Sequence, residues 1–150
     1  MLRKAKLTDA KEIHRLVNFF AKKDLMMPRS LNEIFEHLRD FWVATERGKV
    51  VGCCALHVVG WEDLAEIKSL AVESAYQKRH LGRKLVQAAL KEAKVLGIKK
   101  IFALTYVPQF FARFNFAEVD KATLPQKIWA ECCNCPKFPD CGEIAVMKKI

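Results

Sequence analysis

The seven residues from Gln77 to Arg83, QKRHLGR, place three cationic side chains, a histidine and a glycine immediately before a helical pattern. A helix N-terminus presents backbone N–H groups that have no intrahelical acceptor, and its dipole favours a negative charge. Gly82 lets a ligand approach the backbone closely. Lys78, Arg79 and Arg83 offer charge-assisted donors to outer phosphate oxygens. The stretch therefore predicts a phosphate or pyrophosphate site, with an ordinary turn that carries solvated charges as the alternative.

A predicted strand and a predicted helix flank this stretch. Residues 64–72, LAEIKSLAV, alternate as a β-strand does, and the side chains predicted to share one face are Glu66, Lys68, Leu70 and Val72. Apolar residues at helical spacing predict a helix from residue 81 to residue 96, which Gly97 ends. The next strand, KKIFALTY, completes a β-loop-α-β unit.

The other segments predict further strands and helices. LRKAKL reads as a first strand, and the pairs Asp9 with Glu12 and Ser30 with Glu33 have capping-box spacing ahead of two amphipathic helices. The segment ERGKV predicts a hairpin turn, PQFFARFNF a short helix that runs into a strand, and EIAVMKKI a strand that closes the sheet. We expect an α+β or α/β fold with a mixed central sheet flanked by helices.

In this setting the basic stretch resembles the phosphate loop of the GNAT N-acetyltransferases, whose pattern is Q/R-x-x-G-x-G/A. Here the pattern reads Gln77, Lys78, Arg79, His80, Leu81 and Gly82. His80 stands where the first glycine is usual, and it requires either a permitted backbone conformation or a shifted loop. The flanking EIKSLAV and GRKLVQAAL strengthen the resemblance. It implies the GNAT acyl-CoA N-acyltransferase fold as a single domain over residues 1–150, with acetyl-CoA as co-substrate.

A more specific resemblance is to the short bacterial amino-acid N-acetyltransferases of the N-acetylglutamate synthase type. The segments that carry it are LMMPRSLNEIFEHLRDFWVA, VGCCALHV, FALTYVPQFFARFNF and LPQKIWAECCNCPKFPDC, which are distributed between residue 25 and residue 141. The resemblance implies acetylation of the α-amino group of an amino acid, with L-glutamate favoured, as the first step of arginine biosynthesis. Another small amine or a protein N-terminus is the alternative acceptor.

The resemblance also assigns the cofactor contacts. In the family, the strand before the loop splays from its neighbour, and its backbone groups pair with the pantetheine arm; these positions fall on Leu70 and Val72. The Leu70 N–H is the oxyanion donor by the same resemblance. The complete set of implied acetyl-CoA contacts is Leu70, Ala71, Val72, Gln77, Lys78, Arg79, His80, Leu81, Gly82 and Arg83.

Proton transfer requires a base for the amine and can use an acid for the thiolate. Glu66 is the predicted base because it shares the predicted strand face with Leu70; a carboxylate that only pairs with Lys68 or another cation is the alternative. Many family members place the acid, a tyrosine, in the helix where this chain has Phe110 and Phe111. Tyr106 is the nearest candidate acid, with packing at a wet edge as the alternative. A thiol pKa of ~8.5 can make the acid dispensable.

A dicarboxylate acceptor requires cationic groups at two points, since a carboxylate that leaves water needs charge-assisted partners. Arg29, in the predicted loop before the second helix, is the first candidate, and Lys68 and Lys127 follow. An ordinary surface charge is the alternative for Arg29. Cys53 resembles a cysteine that borders the glutamate site of the family, while a buried strand cysteine can equally be an apolar filler.

The C-terminal cysteines raise a separate possibility. Cys132, Cys135 and Cys141 have a spacing that suits zinc or an iron–sulfur ligand but no fixed fourth ligand. Reduced thiols are therefore expected, with a metal site completed by Cys133, a histidine or a second subunit as the alternative. The four histidines look unconnected, and His14, His37 and His57 read as packing or surface residues.

Composition limits the function classes. The 150 residues suit one domain, and no apolar run approaches the length of a membrane span, so a cytoplasmic protein without membrane partners is expected. The formal net charge of +9 favours a polyanionic partner. Two classes stay open: an acetyl-CoA-dependent enzyme, and a catalytically silent module that binds acetyl-CoA or, less favoured, nucleic acid. A homodimer is compatible with either.

Overall fold

Seven strands form one mixed sheet in the order β1-β2-β3-β4-β5-β7-β6. The computed structural model of the protein describes residues 1–59, 63–124 and 142–150. The strands are β1 Leu2–Lys4, β2 Phe41–Glu46, β3 Lys49–Val58, β4 Leu64–Val72, β5 Lys100–Thr105, β6 Ala117–Val119 and β7 Ile144–Lys149. The helices are α1 Ala10–Ala21, α2 Leu31–Glu36, α3 Leu81–Leu96 and α4 Pro108–Ala112. The predicted fold, a mixed central sheet flanked by helices, is confirmed.

The helices divide between the two faces of the sheet, and each face has its own core. On one face α3 buries Leu85, Val86, Ala89 and Ala93 against the sheet. On the other face α1 and α2 bury Ile13, Leu16, Val17 and Ile34. A ligand on the α3 face and a ligand on the α2 face can therefore meet only at an edge or a gap of the sheet.

Several elements follow the predictions closely. The strand over residues 64–72 and the helix over residues 81–96 have the predicted bounds, and Gly97 ends α3 in a left-handed conformation with φ +83°. The turn between β2 and β3 places both Arg47 and Gly48 at positive φ, +53° and +77°, as a two-residue hairpin turn requires. Ser30 caps α2, since its hydroxyl accepts the N–H of Glu33 at 3.0 Å. No helix in these described parts of the chain is both long and apolar enough to cross a membrane.

The C-terminal strand does not close the sheet, and that prediction is wrong. β7 pairs antiparallel with β5 on one side and with β6 on the other, so β6 forms the edge. The strand that comes last in the chain is inserted between two earlier ones, because its apolar residues Ala145 and Val146 are buried there. A local pattern of alternation cannot distinguish an inserted strand from an edge strand.

The predicted capping box of α1 is also wrong. Asp9 makes no side-chain cap for α1, and Glu12 instead forms an exposed ion pair with Arg15. The Asp9 carboxylate accepts the N–H of Lys6 at 2.7 Å and binds the Arg3 guanidinium through both oxygens, at 2.7 and 3.1 Å. Asp9 therefore fastens β1 to the turn that leads into α1.

This ion pair predicts a pH-dependent contribution to stability. The hydrogen bond from Arg3 is the main cause that lowers the pKa of Asp9. A carboxylate with a lowered pKa stabilises the fold above its ordinary pKa of ~4, and the contribution is lost as the pH falls through the lowered value. Asp9→Ala is expected to reduce the free energy of unfolding by about 2 kcal/mol at neutral pH, because Arg3 and the Lys6 N–H lose their partner.

Denaturant titrations of both proteins between neutral pH and about pH 2 measure this difference. The difference should shrink on acidification. Glu12→Ala is the matched control, because its pair with Arg15 is exposed and should contribute at most ~0.5 kcal/mol. A difference for Asp9→Ala that stays constant down to the lowest pH would contradict the ionic origin.

Candidate active site

A gap opens in the sheet between β4 and β5. The two parallel strands pair only at Leu64 with Lys100, Ala65 with Ile101 and Glu66 with Phe102. β4 continues to Val72 and β5 to Thr105, so the carboxyl-terminal halves of the strands diverge. Backbone groups of β4 that face β5 beyond Glu66 therefore have no ladder partner there, and an extended ligand can pair with them. The splay that the family resemblance implies is present.

A β-bulge lies in the diverging part of β4. Between the pairs Cys53 with Ala71 and Ala55 with Lys68, two residues of β4, Ser69 and Leu70, oppose one residue of β3. Ser69 adopts a left-handed conformation with φ +54°, which is uncommon for a residue with a Cβ. The bulge inserts one residue into the two-residue repeat of the strand and so exchanges the two faces beyond it.

This exchange corrects the predicted side-chain alternation. Leu70 and Val72 pack in the α3-side core together with Ala65 and Ile67, whereas Lys68 lines a cleft on the α2 side. Glu66, two residues before Lys68, shares its face. The prediction that Glu66 and Leu70 point the same way is therefore wrong, because the sequence of β4 does not show the extra residue at the bulge.

The backbone of Leu70 and Val72 still faces the gap. The N–H of Glu73 donates to the carbonyl of Val51 on β3 at 2.8 Å, and backbone groups alternate in direction along a strand. Val72 and Leu70 therefore direct their backbone groups toward β5. The Gln77 side chain donates to the Val72 carbonyl at 3.0 Å, so Gln77 ties the loop to the end of β4.

The helix α3 begins at the open end of this gap. Its first intrahelical bond runs from the N–H of Lys84 to the carbonyl of His80 at 3.1 Å. The N–H groups of Leu81, Gly82 and Arg83 come before this bond and have no acceptor within the helix. His80 takes the left-handed conformation, φ +59° and ψ +24°, which a glycine would adopt more easily. The histidine thus keeps the loop in register and does not shift it.

Basic side chains surround this helix N-terminus. Lys78, Arg79 and Arg83 are exposed, and the Arg79 guanidinium lies 4.9 Å from the centre of the Tyr76 ring. Gly82 is helical, and a Cβ added to it would lie 3.6 Å from the Phe110 ring, which is ordinary contact. The packing of α4 against α3 would therefore tolerate a Cβ at this position. Free amides, a helix dipole and three cations together fit a pyrophosphate.

The left-handed His80 predicts an unusual response to glycine. A left-handed conformation costs a residue with a Cβ about 1–2 kcal/mol, so His80→Gly is expected to leave the stability unchanged or raise it by up to about 1 kcal/mol. Lys84→Gly, in the first turn of the same helix, is the matched control and should lower the stability by about 1 kcal/mol. Thermal unfolding of the two variants measures this, and equal losses would contradict the assigned conformation of His80.

A cleft lies on the opposite face of the sheet, beside the bulge. It contains about 250 Å³ of empty space including its open mouth, and Arg29, Glu33, His37, Asp40, Lys68 and Ser69 line it together with Ile34, Phe41 and Ala55. The structure therefore brings Arg29 and Lys68, two of the predicted substrate cations, into one site. Glu66 lies one step further along β4, at about 6.6 Å from Lys68 by strand spacing.

Arg29 is held firmly in this cleft. Only 8% of the residue is exposed, and its Nη1 donates to Glu33 Oε2 at 2.8 Å. The Asn18 side chain fixes its backbone from both sides, donating to the Arg29 carbonyl at 2.8 Å and accepting the Arg29 N–H at 3.2 Å. The loop before α2 is thus preorganised, and the guanidinium is partly desolvated before any ligand binds.

Cys53 lies behind the cleft and does not line it. It is fully buried, and its thiol donates to the Ser69 carbonyl at 3.3 Å. Burial raises the pKa of the Cys53 thiol to about 12, so it stays protonated and donates. Cys53 thus has no direct contact with the cleft, and its thiol instead supports the bulged conformation of Ser69, which lines it.

Tyr106 and Lys127 are the two remaining predicted site residues. Tyr106 is half-buried and directly follows β5, at the end of the strand that diverges from β4. Its ring packs near Gly142, at 3.5 Å from where a Cβ would lie. Lys127 lies outside the described residues, as do Cys132, Cys135 and Cys141.

The sequence prediction overlooked a cluster at the mouth of the cleft. His57 Nδ1 and Asp40 Oδ2 are 2.7 Å apart, and the His37 and His57 rings pack edge to face with their centres 5.0 Å apart. His57 also pairs with Glu66 across β3 and β4. The interpretation of these histidines as unconnected is wrong. His37 and Asp40 are three residues apart in sequence, but only the strand register brings His57 to them.

The gap in the sheet connects the two sites. A phosphate-bearing ligand at α3 can extend along the free edge of β4 and reach the bulge, where the α2-side cleft opens.

Residues 7–117 match the acetyltransferase (GNAT) family, and the chain belongs to that family. It is an acetyltransferase, and acetyl-CoA is its acyl donor.

The chain has relatives that match nearly its full length. It is 42% identical over 149 residues to an uncharacterised N-acetyltransferase of Chlorobaculum tepidum, which covers 99% of this chain and 96% of that protein. It is 35% identical over 136 residues to an amino-acid acetyltransferase of Mycobacterium tuberculosis, covering 89% of this chain and 77% of that protein.

Solved structures show the same fold. A Mycobacterium tuberculosis protein in complex with CoA and NLQ superposes with a TM-score of 0.85 at 31% identity, over 100% of this chain and 99% of that one. The N-acetylglutamate synthase of Neisseria gonorrhoeae, complexed with coenzyme A and N-acetyl-glutamate, has a TM-score of 0.88 at 22% identity over 99% of this chain and 34% of that one. At that identity the second match shows the fold alone.

Proposed function

We propose that the enzyme transfers the acetyl group of acetyl-CoA to the α-amino group of an amino acid, with L-glutamate as the preferred acceptor. The observation that carries the proposal is the position of Arg29 and Lys68 in one cleft beside the bulge of β4. The relative named amino-acid acetyltransferase supports it. The product would enter arginine biosynthesis as its first intermediate.

The charges of the cleft suit a small dicarboxylate. A buried guanidinium and a half-buried ammonium at two points can each bind one carboxylate, and partial desolvation strengthens both bonds. The acids Glu33 and Asp40 also line the cleft and disfavour an acceptor with additional negative charge. The apolar residues Ile34, Phe41 and Ala55 provide a surface for the short methylene chain between the carboxylates.

The proposed reaction is a direct displacement. Glu66 accepts a proton from the ammonium group of the acceptor, directly or through water, and the free amine then attacks the thioester carbonyl carbon. The Leu70 N–H, directed into the gap, donates to the oxyanion. The attacking nitrogen loses its remaining excess proton to water, the C–S bond breaks, and the thiolate of CoA takes a proton from Tyr106 or from water.

The bulge separates the proposed base from the side chain of Leu70, which the sequence alone places on the same face of β4. Lys68 lines the cleft from which the amine arrives, and Glu66 is buried on the same face of β4, while the backbone of Leu70 faces the gap that receives the thioester. The proposed base and the oxyanion donor therefore point in different directions from β4, the base toward the amine and the donor toward the thioester oxygen. A strand without the bulge would place the Leu70 side chain in the cleft.

An acceptor screen tests the proposal. Release of the CoA thiol is measured with the common L-amino acids, spermidine and a short peptide as acceptors. The highest kcat/KM is expected for L-glutamate, with L-aspartate and L-glutamine lower because chain length or charge no longer matches the two cations. A higher kcat/KM for spermidine or the peptide, or the absence of amine-dependent release, would refute the proposed acceptor.

A further inference from the structure

We propose that His37, Asp40 and His57 form a binding site for a divalent transition-metal ion such as Zn²⁺ at the mouth of the acceptor cleft. One candidate ligand atom from each residue lies within 4.8 Å of the others. Asp40 Oδ2 is central to the set, at 2.7 Å from His57 Nδ1 and 3.8 Å from His37 Nδ1. Small side-chain rotations, which move these atoms by about 1–2 Å, bring them to the metal–ligand distance of ~2.0–2.2 Å that zinc requires.

The donor set has the chemistry of an open metal site. Two imidazoles and one carboxylate bind Zn²⁺, Co²⁺ or Ni²⁺ and leave coordination positions for exchangeable ligands. All three side chains are half-buried, and His37 and Asp40 line the acceptor cleft. An ion held by them would therefore lie beside the cleft.

The three residues lie in different elements of the fold, each with its own backbone hydrogen bonds. His57 lies in β3, and Asp40 ends a 3-10 turn directly before β2. His37 ends α2, and its N–H donates to the Glu33 carbonyl at 3.0 Å. Because β2 and β3 pair antiparallel, with Phe41 opposite Ala55, the ladder holds Asp40 near His57 without any ion. The site is thus largely preformed.

A bound ion would affect turnover, and this consequence rests on the proposed function. An amino acid presents an amine and a carboxylate that chelate a transition metal, and a coordinated amine has no free lone pair for attack on a thioester. Zn²⁺ is therefore expected to inhibit acetyl transfer in competition with the amino acid. Arg29 and Lys68 line the same cleft and repel a divalent cation, so their charge affects both the binding of the ion and the binding of the acceptor carboxylates.

Cobalt provides the direct test, since Co²⁺ replaces Zn²⁺ and has visible absorption bands that depend on its ligands. The full chain is titrated with CoCl₂ in the absence of CoA, and the dissociation constant is compared among variants. Asp40→Asn removes the anionic ligand but keeps the shape and a hydrogen-bonding group. Asp40→Asn, His57→Gln and His37→Ala are each expected to weaken Co²⁺ binding by about tenfold or more.

Two control variants separate this site from other ligands. His14→Ala removes a histidine of α1 that is not part of the cluster, and Co²⁺ binding should be unchanged. Cys135→Ser removes a thiol that could bind cobalt elsewhere; a thiolate site would also show near-ultraviolet charge-transfer absorption. Near-ultraviolet circular dichroism of each variant verifies that it is folded.

Each outcome of the cobalt titration either supports the site or overturns it. Weaker binding in folded Asp40→Asn and His57→Gln, with unchanged binding in the two controls, supports the site. Absence of Co²⁺ binding by the full chain, or equal binding by Asp40→Asn and His57→Gln, overturns it. These readouts do not use acetyl transfer, so the metal site can fail while the proposed acceptor stands, and the reverse also holds.

Discussion

Glu66→Gln is expected to lower kcat by at least about 100-fold, because a positioned general base contributes roughly 10²–10⁴-fold to the rate of proton transfer. The substitution keeps the size of the side chain and its hydrogen-bonding capacity but removes the group that accepts the proton of the amine. The KM values for acetyl-CoA and for the acceptor should change little. Steady-state release of CoA with L-glutamate at saturating acetyl-CoA measures the effect.

A structural role for Glu66 predicts the opposite result. Glu66 is buried, with 6% of its surface exposed, and a buried carboxylate can serve only to neutralise a neighbouring cation. In that case Glu66→Gln would reduce the melting temperature and leave kcat of the folded fraction unchanged. Glu118→Gln on β6, where the side chain is exposed, is the matched control and should alter neither quantity. An unchanged kcat in stable Glu66→Gln would remove Glu66 as the base.

The parts of the fold that the sequence predicts well are those with a local cause. The helix α3 has a continuous apolar stripe and a terminal Gly97, and the hairpin has a turn that tolerates positive φ at Arg47 and Gly48. The position of β7 between β5 and β6 has no local cause, because it depends on which strand edges are free after the rest has folded. Nonlocal pairing of this kind is invisible to periodicity.

The candidate site shows the same division. The residues predicted to bind phosphate are contiguous in sequence, and the chemistry expected of them is apparent from their types alone. The bulge at Ser69 is not, since nothing in the residues of β4 marks the left-handed conformation, and it reversed the predicted direction of Leu70 relative to Glu66. The cluster of His37 and His57 depends on the register of β3 and on the turn before β2. Site residues that lie in distant segments of the chain can be identified only from the structure.

The side-chain carboxylate of the acceptor is expected to bind Arg29, and this assignment gives the second large effect. Arg29→Ala should reduce kcat/KM for L-glutamate by roughly 10–100-fold, since a hydrogen bond to a charged group is worth about 1.5–3 kcal/mol and 1.36 kcal/mol corresponds to a factor of ten. The KM for acetyl-CoA should not change, because Arg29 and the N-terminus of α3 lie on opposite faces of the sheet. Arg39→Ala, an exposed arginine of the same segment, is the control.

A second acceptor identifies which carboxylate Arg29 binds. L-Alanine has the α-carboxylate of L-glutamate but no side-chain carboxylate. If Arg29 binds the side-chain group, Arg29→Ala reduces kcat/KM for L-glutamate much more than for L-alanine, whereas equal reductions would place Arg29 at the α-carboxylate. Arg29→Lys keeps the charge but loses the planar pair of donors, so it should restore part of the glutamate preference. Unchanged saturation by L-glutamate in folded Arg29→Ala would exclude Arg29 from the acceptor site, because a buried guanidinium in contact with a carboxylate cannot be removed without loss of affinity.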